Sequence, residues 1–146
     1  MKVYRTEQQS EKELVASQRG RSARRKGHGQ EREIVNRLRE ILPDGYTCQR
    51  MLQYSGGSGL ADVEVRDDGG ALLHIESKRG KRPNIPKAFD QAFTQHKPGT
   101  IPIAVTKADR SWMLVTMRWQ DFTEMLAPYL ESLRLEDEDG NTREPR

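Results

Sequence analysis

The chain has 146 residues, enough for one hydrophobic core and too few for two independent ones. Charged residues make up 32% and aromatics 6%, so a heavily charged surface is expected around a modest core, and the single cysteine, Cys48, excludes an intrachain disulfide. No apolar run approaches the roughly 18 residues of a membrane span, and the N-terminus is charged rather than signal-like, so a soluble, cytoplasmic protein with no membrane partner is expected.

Basic residues crowd the stretches Arg19 to Lys26 and Lys78 to Lys87, whereas Glu136, Asp137, Glu138 and Asp139 form an acidic tail. The net charge of +3 therefore understates how basic the body is, which favours a polyanionic partner over a plain solvated surface.

Residues 1–26 read as a basic arm, partly helical, whose order requires a partner. From Gln30 to Leu42 the apolar residues Ile34, Val35, Leu38, Ile41 and Leu42 recur at helical spacing until Pro43-Asp44-Gly45 ends the run. Three strands are predicted next, Tyr46 to Tyr54, Leu60 to Arg66 and Ala71 to Ser77, joined by Ser55-Gly56-Gly57-Ser58-Gly59 and Asp67-Asp68-Gly69-Gly70. Such short connections imply antiparallel neighbours. A helix follows Pro83-Asn84-Ile85-Pro86 and runs to His96, with Ile85, Ala88, Phe89, Ala92 and Phe93 on one face. Strands from Ile101 to Lys107 and Trp112 to Met117 come next, then a helix from Gln120 that Pro128 kinks or breaks. The order α-β-β-β-α-β-β-α defines an α/β chain with a central mixed five-stranded sheet flanked by helices. Its middle helix is long enough for a right-handed parallel crossover.

Alternation along the strands puts Asp62, Glu64 and Arg66 on one face of the second strand and His74, Glu76 and Lys78 on one face of the third. A two-residue turn, Asp68-Gly69, would set Asp62 opposite Ile75 and point the two carboxylates apart. A three-residue loop that includes Gly70, which tolerates the left-handed backbone such loops need, pairs Asp67 with Ala71 and hence Asp62 with Glu76. That register is expected. Opposed carboxylates repel and Lys78 neutralises only one, so a hard divalent cation with open water positions, magnesium or manganese, is the simpler completion. Glu31 adds a third acid, because it precedes Ile34, Val35 and Leu38 on the apolar stripe. Taken alone, a carboxylate there is as readily a solvated helix-end residue. A Glu-x-Lys triplet by itself arises by chance in roughly every second or third chain of this length; the hairpin and the helix give it weight.

These residues resemble the PD-(D/E)xK nuclease superfamily. Within it, Lys26-Gly27-His28-Gly29-Gln30-Glu31-Arg32, Ser55-Gly56-Gly57-Ser58-Gly59-Leu60-Ala61-Asp62 and Glu76-Ser77-Lys78 are similar to motifs of archaeal-type Holliday-junction resolvases. The resemblance runs from Lys26 to Met117 and departs from the motif name at Ala61, where proline is usual. It implies a restriction-endonuclease-like core and one or two magnesium ions, with manganese a possible substitute. Glu31, Asp62, Glu76 and the Ser77 carbonyl would be the ligands, and Lys78 would orient the attacking water. Ser55 or Ser58 would lie near the scissile strand, and Gln91 would match a glutamine of the following helix. The implied activity is a structure-selective endonuclease that cuts four-way junctions as a homodimer, in a bacterial, archaeal or phage-infected cell. The implied division is an arm over 1–26, a nuclease domain over 27–133 and an acidic flexible tail over 134–146. Nucleases of linear, mismatched or modified DNA share the pattern, and a non-catalytic DNA-binding module is the rival from another class.

Arg24, Arg25 and Lys26 are expected to contact the DNA backbone without regard to sequence, and Arg79, Lys81 and Arg82, just past the site, to contact phosphate. His28, His74 and His96 lack the spacing of zinc ligands. Trp112 and Trp119 flank a strand and are expected in the core.

Overall fold

A computed structural model of the chain describes residues 7–51 and 60–138. The chain divides into two compact units, Met1–Thr116 and Met117–Arg146.

The first unit is α/β, with helices α1 (Glu7–Arg39) and α2 (Ile85–Gln95) and strands β1 (Thr47–Arg50), β2 (Val63–Asp67), β3 (Gly70–Gly80), β4 (Ile101–Ala108) and β5 (Met113–Thr116). The strands form one mixed sheet in the order β1-β2-β3-β4-β5, antiparallel throughout except for the parallel β3–β4 pair. The parallel step falls where α2 supplies the crossover, as the spacing of the sequence predicts.

Helix α1 starts far earlier than its apolar stripe. Its 33 residues include much of the expected arm, because the segment is rich in Glu, Gln, Lys, Arg and Ala, all good helix formers, and contains no proline. Among the described residues its buried side chains, Gln30, Ile34 and Val35, all lie in its C-terminal part. The helix ends three residues short of Leu42, since Ile41 turns outward and is 75% exposed. Helix α2 is capped by Asn84, whose Oδ1 accepts from the Lys87 amide at 3.0 Å, with Pro86 in the first turn where no amide hydrogen is needed.

The two helices cover opposite faces of the sheet. Glu31 and Glu33 of α1 reach Arg50 and Lys107, whereas Lys97, just after α2, reaches Glu64. Arg50 pairs across the ladder with Val63, the immediate neighbour of Glu64, so Arg50 and Glu64 project to opposite sides. Between the helices, Val63, Val65, Ile75, Ile103, Ala104 and Val105 make the core. Trp112, expected inside, is instead 86% exposed beside the edge strand β5, and Trp119, also expected inside, is 71% exposed.

The turn after β4 carries a strained residue. Ser111 donates to the Ala108 carbonyl at 3.2 Å, and Arg110 takes a left-handed φ of 59°, a conformation that costs a side-chain-bearing residue roughly 1 kcal/mol.

In the second unit, α3 (Trp119–Glu138) runs continuously through Pro128 rather than breaking there. It begins with a bidentate Arg118–Asp121 pair at 2.7 Å, and Trp119 stacks at a tilt on Phe122, 5.6 Å away. The expected tail from residue 134 is therefore helical as far as Glu138. Among the described residues no helix is long and apolar enough to cross a membrane.

Candidate active site

The β2–β3 turn differs from the expected one. Asp67 pairs with Gly70 rather than Ala71, so the loop has two residues. Asp67 Oδ1 accepts from the amides of Gly69 and Gly70 at 2.8 and 3.0 Å, and this carboxylate-closed turn is tighter than a three-residue loop. Gly70 still takes a positive φ of 137°, at the turn exit instead of inside the loop. The turn alone would set Asp62 opposite Ile75. A bulge intervenes: Arg66 faces Ala71 but Val65 faces Leu73, leaving Leu72 as an extra residue in β3. Downstream, Val63 faces Ile75, the same register that an odd-numbered loop would impose.

Regular pairing stops at Val63, and Asp62 closes the gap with its side chain. Its amide donates to the Ile75 carbonyl at 3.0 Å, and its Oδ2 accepts from the Ser77 amide at 2.8 Å. The carboxylate thus occupies the place of a strand carbonyl and lies beside Glu76. Glu76 is 1% exposed, and its Oε1 receives Lys78 Nζ at 2.6 Å. Its Oε2 is buried without a partner. Burial raises the Glu76 pKa, the Asp62 carboxylate adds repulsion in the same direction, and Lys78 opposes both. Asp62, Glu76 and Lys78 therefore converge.

Glu31 does not join them in this arrangement. Arg50 holds it, with Nε and Nη2 at 2.8 and 2.6 Å from Oε2. Side-chain alternation gives the reason: Lys107 faces α1, its ladder partner is Arg79, and Glu76 and Lys78 belong to the other face. Among the described residues no three His, Cys, Asp or Glu side chains gather closely enough to hold a metal ion.

Ser55 and Ser58 lie outside the described residues. Ser77 contributes its backbone to the site, while its Oγ is buried without a partner. Gln91 is half-buried on α2, bonded to Gln95 at 3.4 Å. Arg24 and Arg25 are exposed on α1; Lys26, also exposed, lies 3.3 Å from Asp109. Arg79, Lys81 and Arg82 are exposed at the end of β3 and beyond.

The structure adds residues that sequence reasoning passed over. Gln30 is fully buried, donates to the Val105 carbonyl at 3.2 Å and keeps Oε1 without a partner; its place on the α1 stripe was the available signal. Glu64, 2% exposed, is gripped by Arg66 at 2.7 Å and Lys97 at 2.8 Å. Opposite it, His74 is 1% exposed with neither ring nitrogen partnered, and burial, followed by repulsion from His96, pushes its pKa down. Glu64 shares the parity of Asp62 and was visible as a candidate, but Lys97 approaches only through the crossover.

A scan against protein-family models finds no match to this chain, and a search of curated proteins finds no matching sequence.

Proposed function

We propose that the chain is a metal-dependent, structure-selective DNA endonuclease with a PD-(D/E)xK, restriction-endonuclease-like core, cutting four-way junctions as a Holliday-junction resolvase. One observation carries the reading: two carboxylates and a lysine meet where β2 and β3 part, and a buried oxygen of Glu76 has no partner. A buried acceptor left unpaired costs about 1–3 kcal/mol, and a cation would remove that cost. The donor set fits magnesium or manganese, since Asp62, Glu76 and the Ser77 carbonyl offer only hard oxygens.

A divalent ion bound there would supply charge stabilisation for a phosphate and a water of lowered pKa. Asp62 is braced by the Ser77 amide, which holds its carboxylate beside Glu76 without a rotamer search. Lys78 Nζ, fixed on Glu76, stands at the mouth of the site where it can orient a nucleophilic water. Arg24, Arg25, Lys26, Arg79, Lys81 and Arg82 would make sequence-independent backbone contacts. Resolving a junction takes two related cuts, and one chain offers one such site, so a two-fold homodimer is part of the proposal.

The pairing of Glu31 with Arg50 favours a second reading, a DNA-binding module without catalysis. Cleavage of four-way, forked and linear duplexes with magnesium or manganese separates the two. Junction cutting abolished by Asp62→Asn is expected. Binding without cutting in either metal would overturn the nuclease reading, and preferential cutting of linear DNA would overturn the resolvase part of it.

A further inference from the structure

We propose that Arg110 contacts DNA phosphates as part of one basic rim that also contains Lys26, Lys81 and Arg82; this rests on the DNA-binding part of the function proposed above. The rim is assembled by the parallel step in the sheet. β3 and β4 run side by side and end together, with Gly80 paired to Ala108 and the Asp109 amide donating to the Gly80 carbonyl at 3.1 Å. Lys81 and Arg82 therefore leave the sheet beside Asp109 and Arg110. The side chain of Asp109 then draws in Lys26 from α1, at 3.3 Å. Three segments far apart in sequence bring their cations to one end of the sheet, and Lys78 lies only two residues before Gly80 on β3.

Arg110 itself is the unexpected member. Its left-handed φ of 59° suits glycine or asparagine, yet an arginine occupies the position. Its side chain is exposed and makes no hydrogen bond or ion pair with any described residue. No hydrogen bond or ion pair of its side chain with the described residues offsets the strain, so glycine would fit the backbone of this turn better. An exposed cation at a position that disfavours it is accounted for by an anionic partner outside the fold. The rim lies at the same end of β3 as Glu76 and Lys78, and the phosphates flanking a strand bound at that end are the anions within its reach. Asp109 brings an acid into the rim, and an arriving phosphate would compete with it for Lys26.

The test is equilibrium binding of the full chain to a four-way junction and to a linear duplex, in EDTA, over a range of KCl concentrations. Arg110→Gly should melt no lower than wild type, while its plot of log K against log salt becomes shallower by about 1 on both DNAs. Arg110→Gln should show the same shallower slope, and Asp109→Asn should bind more tightly. Unchanged slopes in both Arg110 variants, or a wild type that binds neither DNA, would overturn the proposal. A wild type that cuts junctions while the slopes stay unchanged removes the rim and leaves the nuclease; shallower slopes in a chain that never cuts do the reverse.

Discussion

Glu64 and Glu76 are two nearly fully buried carboxylates on neighbouring strands, and they are treated in opposite ways. Burial alone would raise the pKa of both. At Glu64, hydrogen bonds from Lys97 and Arg66 outweigh burial and hold the carboxyl below its ordinary range, with each oxygen engaged. At Glu76, burial prevails, the neighbouring Asp62 adds to it, and one oxygen remains without a partner. The first arrangement is that of a structural ion cluster, complete as it stands. The second is incomplete, and groups whose needs are left unmet by the fold are where a ligand has something to contribute.

The largest expected effect that would break this contrast is on catalysis. Glu76→Gln should reduce junction cleavage by about 1,000-fold or more, near 4 kcal/mol of lost transition-state stabilisation, while stability in urea stays level or rises. Near-wild-type cutting would remove Glu76 from the site. Glu64→Gln should do the opposite, costing roughly 1–3 kcal/mol of stability through its charged hydrogen bonds and leaving cleavage by the folded protein intact. A neutral urea midpoint would show that the Glu64 cluster does not hold the fold together.

The pH dependence sharpens the same contrast because the two signs differ. Glu64 has a lowered folded pKa, so its contribution is present above its ordinary 4.5 and is lost as pH falls through the lowered value. Glu76 has a raised folded pKa, so its contribution is present below 4.5 and is lost as pH rises through the raised value. The stability advantage of Glu76→Gln over wild type should therefore grow on going from acid to neutral pH, and that of Glu64→Gln should become more negative. Urea titrations at several pH values check both, and parallel profiles would contradict the assignment.

The smallest effect concerns Glu31. Arg50→Ala should cost roughly 1 kcal/mol, the low end for leaving a part-buried carboxylate without its charged partner. If Glu31 is a metal ligand held in reserve, releasing it should tighten manganese binding measured by calorimetry; unchanged affinity would leave Glu31 as a partner of Arg50 alone.

Much of the frame was legible because local chemistry governed it. The α/β class and the five strands follow from apolar runs separated by Pro43-Asp44-Gly45, Asp68-Gly69 and the Pro83 to Pro86 segment, where backbone preferences leave few choices. Helix boundaries were less legible: the apolar stripe marks where α1 packs, whereas helix formation continues wherever propensity allows, back to Glu7. The exposure of Trp112 was hidden for a different reason, since whether a face is covered depends on what lies beyond the edge strand.

By itself the sequence determined which residues could do chemistry: Asp62, Glu76 and Lys78 belong to strands whose alternation puts them within one register choice of meeting. Tertiary structure made that choice, and by an unforeseen device, a carboxylate-closed two-residue turn corrected by a bulge at Leu72. Only the folded chain could decide that Lys97 satisfies Glu64, that Arg50 takes Glu31, and that Lys26, Lys81 and Arg110 gather at one end of the sheet. Turn and strand preferences are local energies read a few residues at a time. The pairing of charges across 19 to 83 residues of chain depends on which strands lie side by side, and that is settled by burial of the whole core.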